Sequence, residues 1–139
     1  MANQDRHEEN WAVLRPLPGE GDVTLAGSYD HGSALGFNLT EAKRTLELDR
    51  DGVPAFAAKA RAHRFDQDSD GQLSLVALAH KALAKCSTLA HDHWLASVEA
   101  TDEAVLSDTL DRVADLSDPV RRFTHALLTT HRRRLLDEH

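Results

Sequence analysis

Three aspartates at alternate positions, Asp66, Asp68 and Asp70, are the residues of this sequence best suited to bind an ion. A hard divalent cation such as Ca²⁺ takes about six to eight oxygen ligands at short range, and carboxylates supply them. In a tight loop, alternate side chains can converge on one point. Gly71 follows at once, and glycine adopts the positive φ of a sharp turn at little cost. The spacing therefore predicts a loop that holds a divalent cation.

The residues after the glycine fit the same loop. Gln72 would offer its backbone carbonyl, Leu73 would face the core, and Ser74 would bind directly or through water while capping the next helix. The segment from Phe65 to Ser74 resembles the calcium-binding loop of the EF-hand family at loop positions one to nine. The resemblance implies a helix on each side, bound Ca²⁺, and the ligands Asp66, Asp68, Asp70, Gln72 and Ser74.

The sequence departs from the EF-hand pattern at the twelfth loop position. An EF-hand has a glutamate there that binds the ion with both oxygens, whereas this chain has Ala77 and no acid among the next residues, Leu78 to His80. Loss of a bidentate ligand lowers the affinity and weakens discrimination against Mg²⁺. Three outcomes stay open: weak binding of Ca²⁺ or Mg²⁺, binding completed by extra waters, or a loop that keeps only the fold.

EF-hands usually work in pairs, so one loop predicts a mate. Residues 49–52, Asp-Arg-Asp-Gly, lie too close upstream, because the stretch before Phe65 has room for one helix and a complete hand needs two. Downstream, Leu106-Ser107 repeats Leu73-Ser74 at an offset of 33. This repeat predicts a degenerate hand over residues 99–110 that has lost its ion. The alternative is a helix–turn–helix connection of coincidental spacing.

Helices must position this loop. Few β-branched residues and many Ala, Leu, Arg and Glu favour helix over sheet. We predict helices from Asn38 or Thr40 to about Leu48, from Pro54 to Phe65, and from Ser74 to Lys85. Further helices are predicted from Thr88 to about Val98, from Ser107 to about Leu116, and from Asp118 through Leu135. The third helix has an apolar face that we expect to be buried, formed by Leu75, Val76, Leu78, Ala79 and Leu83.

The first 37 residues are predicted to form an irregular arm. Residues 1–10 are polar and charged, and glycines interrupt the chain every few residues from Gly19 to Gly36. We expect Trp11, Leu14 and Phe37 to anchor the arm on the core, and residues 23–26 are a weak candidate for a strand. The expected fold class is all-α, an EF-hand-like helix–loop–helix pair with additional helices over residues 38–139.

Charge and hydropathy argue against several classes of function. The formal net charge is −7, and nucleic-acid binding depends on neutralising phosphates with Lys and Arg. The basic run Arg132 to Arg134 ends a predicted helix, where cations complement the helix dipole. The sequence has no run of about 18 apolar residues, so we predict no membrane span. The N-terminus is polar, so we predict no signal peptide.

One cysteine, Cys86, excludes an internal disulfide and favours a reducing compartment, which we expect to be the cytoplasm. Cys86 is expected to fill space as a small apolar side chain. Nine histidines raise the alternative of a histidine metal site. His91 and His93 form the densest cluster, but residues two apart on a helix face different sides.

These observations leave three hypotheses about function. The first is a small intracellular Ca²⁺-binding protein that acts as a weak sensor, a buffer or an ion-stabilised adaptor. The second is a metal-independent helical module that dimerises or docks a protein partner through its apolar faces. The third is an enzyme with a site between the arm and the helices near His31, although no common catalytic motif occurs in the sequence.

Overall fold

The computed structural model describes residues 8–19, 21–65, 67–68 and 71–137, and this part of the chain is mostly helical. The predicted all-α class is confirmed, whereas the EF-hand pairing is not. The α-helices are α1 Glu41–Asp49, α2 Val53–Ala58, α3 Leu75–Leu83, α4 Thr88–Glu99, α5 Glu103–Asp111 and α6 Asp118–Asp137. Two short antiparallel pairs, β1 Val13–Leu14 with β2 Thr24–Leu25 and β3 Gln67–Asp68 with β4 Gly71–Gln72, and a 3₁₀ turn at Glu8–Asn10 complete the described elements.

Four helices begin at a polar side chain that accepts a hydrogen bond from a backbone N–H of the first turn. Thr40 caps α1 at 3.4 Å and Ser74 caps α3 at 3.0 Å. Ser87 caps α4 at 3.3 Å and Asp102 caps α5 at 2.8 Å. Each acceptor satisfies a donor that has no partner inside the helix. The predicted cap at Ser74 is therefore confirmed. Of the two predicted starts of α1, Asn38 and Thr40, Thr40 is the cap. The cap of α4 is Ser87, one residue before the predicted start at Thr88.

The second helix is shorter than predicted, because it ends at Ala58 and not at Phe65. The Arg61 guanidinium donates hydrogen bonds to the carbonyl oxygens of Ala58 at 2.7 Å and Ala60 at 3.2 Å. These bonds satisfy acceptors that a helix end otherwise leaves open. Beyond them, Arg61 forms an isolated antiparallel bridge with Ser74, and residues 63–65 form a turn. The predicted helical entry into the acidic loop is therefore wrong.

The fifth helix begins at Glu103, four residues before the predicted start at Ser107. Asp102 caps it, and Glu103 adds a negative charge in the first turn, where the helix dipole favours one. Leu106-Ser107 therefore lies inside α5 and opens no helix. Most of residues 99–110 is helical, so the degenerate second hand is not confirmed and the observed connection is helix–turn–helix.

One face of α6 forms the centre of the helical region, since each of the other five helices packs on α6. The buried residues of α6 recur at helical spacing: Phe123, Thr124, Leu127 and Thr130. Phe123 and Leu127 are fully buried and form the core cluster with Val53 and Ala57 of α2. The Phe56 and Phe123 rings meet edge to face with centroids 5.4 Å apart. On α3, Val76 is buried and the other predicted apolar residues are half-buried.

The anchors predicted for the N-terminal arm are wrong. Trp11 is 49% exposed, Leu14 57% and Phe37 61%. For Leu14 the reason is that β1 and β2 pack mainly on each other, so the strand side chains have no helix to bury them. Instead, the buried Asn10 donates a hydrogen bond to the Asp30 carboxylate at 3.0 Å.

The basic run near the end of α6 supports a neighbouring helix. Arg132 donates hydrogen bonds from Nε to the Val98 carbonyl at 3.1 Å and from Nη2 to the Glu99 carbonyl at 2.6 Å. These are the last carbonyls of α4, where a cation is favoured by the dipole. Cys86 follows α3 and is exposed, which contradicts its predicted role as a space-filling core residue. Among the described helices, none has the length and apolar character needed to cross a membrane.

The packing on α6 gives a first testable prediction. Phe123→Ala should lower the free energy of unfolding by about 3–5 kcal/mol, because it leaves a cavity in the centre of the core. Denaturant unfolding followed by circular dichroism measures the change. Val105→Ala, at an exposed position of α5, is the control and should cost less than about 0.5 kcal/mol. Equal losses in the two variants would contradict the central role of Phe123.

Candidate functional site

The residues predicted to bind a cation lie in the connection between α2 and α3. Asp66 and Asp70 are outside the described residues, and the structure describes the backbone of Asp68 without its side chain. Gln72 and Ser74 are described in full. The convergence of the three carboxylates therefore stays a prediction. The structure describes the backbone around them, which is the setting of the predicted site.

That setting is a short antiparallel pair of strands, β3 and β4. Gln67 pairs with Gln72, and Asp68 pairs with Gly71. Gly71 has a φ of +102°, which is the positive φ predicted for this position. Space does not require the glycine, since nothing lies within 4 Å of a Cβ built there. The backbone conformation requires it, because L side chains are strained in this region.

Backbone hydrogen bonds join the two ends of the loop. The Ala62 N–H donates to the Leu73 carbonyl at 2.9 Å, and the Leu75 N–H donates to the Ala60 carbonyl at 3.4 Å. Ala60 and Ala62 are both buried. Leu73, the eighth loop position, thus pairs with a residue just ahead of its own loop. This pairing fixes the base of the loop without any help from residues 99–110.

The two fully described candidate ligands already have partners. The Gln72 Oε1 lies 2.9 Å from the His63 Nδ1, so this side chain is engaged by His63 and only its backbone carbonyl stays a candidate ligand. The Ser74 Oγ accepts the cap hydrogen bond from the Ala77 N–H. Ala77 itself is exposed in the first turn of α3, so a longer side chain fits at this position.

The histidine cluster on α4 has two separate sets of contacts. The His91 Nδ1 lies 2.9 Å from the Asp92 Oδ1, and the His93 ring packs edge to face on Trp94 with centroids 5.5 Å apart. Across the described ranges, no group of three or more His, Cys, Asp or Glu side chains is placed to hold a metal ion. The described side chains therefore offer no better cation site than the acidic loop.

The region near His31 was the third hypothesis. Asp30 accepts the hydrogen bond from Asn10, and His31 is half-buried with a buried Nδ1 that has no partner among the described atoms. The cavities described next have other linings, so a catalytic role for His31 stays a prediction.

Two adjoining cavities lie along α6 and share Leu48 and His125. The smaller, of about 340 Å³, is lined by Arg121, Arg122 and His125. Its lining contains no carboxylate that could bind a metal cation. The larger, of about 390 Å³, has a mixed lining that includes Asp51, Glu103 and Arg133. Glu103 belongs to α5, Arg133 belongs to α6, and Asp51 lies between α1 and α2. No local sequence pattern signals this grouping, because the tertiary fold brings the residues together.

No family model matches this chain, and comparisons with curated proteins and with solved structures found no match either.

The backbone at Gly71 gives the second prediction. Gly71→Ala should weaken the β3–β4 pair by about 1 kcal/mol, because alanine is strained at this φ. The amides of Gln67 and Gln72 should then exchange with deuterium roughly fivefold faster, as measured by NMR. Gly32→Ala is the control, because Gly32 lacks a positive φ and has open space around it. Unchanged exchange in Gly71→Ala would contradict the positive φ described for Gly71.

Proposed function

We propose that this protein is a small calcium-binding protein whose segment 66–74 binds one Ca²⁺ ion weakly. Asp66, Asp68 and Asp70 supply the carboxylates, and the Gln72 carbonyl and Ser74, directly or through water, complete the protein ligands. The observation that carries the proposal is the alternation of three acids that ends at a glycine with a φ of +102°. A chain reversal at this point concentrates the carboxylates over a short distance.

Weak affinity and low selectivity follow from the number of ligands. Ca²⁺ takes about six to eight oxygens, and a bidentate glutamate at the twelfth position normally provides two. Ala77 provides none, so water must fill those positions. Mg²⁺ keeps several waters when it binds proteins and uses only one or two carboxylates. We therefore expect Mg²⁺ to compete for the loop.

The ion orders the loop and leaves the helices in place. In a sensor, ion binding changes the angle between the two flanking helices. Here no acidic ligand is present on α3, and the hydrogen bonds between Ala60–Ala62 and Leu73–Leu75 already tie the loop ends together. This arrangement favours a buffer or an ion-stabilised adaptor over a strong switch.

We place this function in the cytoplasm. Cys86 is a free and exposed thiol, and such thiols persist in compartments that keep cysteines reduced. Treatment of the protein with a mild oxidant should leave Ca²⁺ binding unchanged, because Cys86 is remote in sequence from the ligands.

Calorimetric titration of the full chain with Ca²⁺ tests the proposal. One site with a Kd of about 0.1–1 mM is expected, the range of the weakest natural calcium loops. Asp66→Asn should abolish the heat, because it removes a charged ligand. Asp22→Asn is the matched control, since Asp22 is an exposed acid in the arm and the variant has the same net charge. No heat with millimolar Ca²⁺, or equal heats in the two variants, would contradict the site.

Restoring the missing ligand is a second test. Ala77→Glu should strengthen Ca²⁺ binding by roughly 10- to 100-fold and improve discrimination against Mg²⁺, because it adds a bidentate carboxylate. Glutamate here would also form a capping box with Ser74 and stabilise α3 without any ion. Ala77→Gln provides that cap alone, so its Kd should equal that of the wild type. If Glu and Gln give the same Kd, the twelfth position does not face the ion.

A second candidate function is a protein interaction module, and exposed apolar side chains on α4 favour it. Leu89 is 82% exposed and Trp94 58%, and α4 buries none of its residues fully. Contiguous exposed apolar side chains mark sites that bind a macromolecular partner.

A further inference from the structure

The smaller of the two cavities beside α6 combines positive charge, hydrogen-bond donors and an apolar wall. Its six lining residues come from three helices: Leu48, Ser107, Leu110, Arg121, Arg122 and His125. The two arginines and His125 belong to the first part of α6. The volume of about 340 Å³ is within the range of small-molecule sites. We call this space the arginine cavity.

The carboxylates that contact the two arginines do not line the arginine cavity. The Arg121 Nη1 lies 3.3 Å from the Asp111 Oδ1, and the Arg122 Nη1 lies 3.6 Å from the Asp118 Oδ2. The side chains of Asp111 and Asp118 are 56% and 74% exposed, and solvent weakens ion pairs of this kind. The two carboxylates therefore offset only part of the positive charge that the arginines present to the cavity.

Both guanidinium groups have donors that the described atoms leave unsatisfied. Arg121 donates from Nη2 to the Leu116 carbonyl at 3.1 Å, whereas its Nε is buried and has no partner among the described atoms. The only described polar contact of the Arg122 guanidinium is Asp118, at a distance longer than a hydrogen bond. A buried donor without an acceptor is costly, and a bound anion is one group that supplies the missing acceptor.

We propose that the arginine cavity binds the phosphate group of a small organic phosphate ester. A phosphate monoester carries a charge of about −1.5 to −2 at neutral pH and has three acceptor oxygens. Two arginines match that charge, and a guanidinium binds two phosphate oxygens at once. His125 and Ser107 add further donors. A carboxylate has one charge and two oxygens, so it would satisfy fewer of these donors. This inference goes beyond the proposed cation site and does not depend on it.

The adjoining cavity of about 390 Å³ indicates what the rest of the ligand carries. It shares Leu48 and His125 with the arginine cavity, so a ligand held at the arginines can extend into it. Its lining includes Asp51 and Glu103, and carboxylates accept hydrogen bonds from hydroxyl groups. We therefore expect the phosphate ester of a small alcohol that has further hydroxyl groups.

Titration of the ¹⁵N-labelled full chain with glycerol phosphate, followed by amide NMR spectra, tests the inference. The buffer contains no divalent cations, so the acidic loop cannot contribute, and the ionic strength is held constant. We expect one site with a Kd of about 0.1–10 mM, as suits a ligand of about ten non-hydrogen atoms. Methyl phosphate should bind roughly 3- to 10-fold more weakly, because it lacks the hydroxyl groups. Sulfate should also bind more weakly, because it has no part that reaches the adjoining cavity.

Arg122→Gln should raise the Kd for glycerol phosphate roughly 10- to 100-fold, because it removes a charged donor from the cavity. Arg112→Gln is the matched control and should keep the wild-type Kd. Arg112 is an exposed arginine that pairs with an aspartate four residues earlier, as Arg122 does, but it does not line the cavity. Ser107→Ala, at an exposed position, should raise the Kd roughly 3- to 10-fold. Circular dichroism shows that each variant keeps its helices.

The amides that shift should be those of Ser107, Leu110 and residues 121–125, with residues 66–75 unchanged. Three results would overturn the inference. The first is the absence of saturable shifts up to about 50 mM glycerol phosphate. The second is an equal rise in Kd for Arg122→Gln and Arg112→Gln, which would show a general effect of charge and no site. The third is equal affinity for sulfate and glycerol phosphate, which would show binding of any dianion. None of these results affects the cation proposal, because the Ca²⁺ titration tests that separately.

Discussion

Burial of one face of α6 is the interaction on which the rest of this structure depends. With only 5% aromatic residues, the chain cannot build a large core, and Phe123 and Leu127 are its only large side chains described as fully buried. Every other helix packs on α6. That packing sets the positions of α2 and α3. It thereby sets the positions of the two ends of the acidic loop, which connects these helices.

This arrangement separates the loop from the motions that EF-hands use for signalling. α2 ends at Ala58, and the segment through Ala60 and Ala62 pairs with the chain that leads into α3. Hydrogen bonds already join the two ends of the connection between α2 and α3. In the proposed site, the absent glutamate at position 77 would account both for weak binding and for an effect confined to the loop.

Local rules explain which features could be predicted from the sequence. A cap depends on a single side chain and the following turn, so the cap at Ser74 could be predicted and the start of α1 could be narrowed to Asn38 or Thr40. The start of α5 also has a local signal, since Asp102 can cap a helix and Glu103 suits its first turn. The repeat of Leu-Ser at positions 106 and 107 competes with that signal, because it predicts a helix that starts at Ser107. The end of α2 had no local signal, because it depends on the Arg61 guanidinium turning back and on pairing with residues beyond the loop.

Burial in the arm was mispredicted for a related reason. Trp11 and Leu14 are apolar, and apolar residues are usually assigned to a core. Their exposure depends on which side of the β1–β2 pair the rest of the fold covers. Tertiary packing decides this, and local sequence does not signal it. For the candidate site, the residue types and the positive φ at Gly71 follow from the sequence, whereas the pairing of Leu73 with Ala62 does not.

The central claim is that a cation binds segment 66–74 and orders it without moving the helices packed on α6. The most direct measurement is a Ca²⁺ titration of the ¹⁵N-labelled chain followed by amide NMR spectra. We expect saturable shifts for amides in residues 66–75, with those of Phe123 and Leu127 unchanged. No shifts with millimolar Ca²⁺, or shifts that extend through α6, would contradict the account.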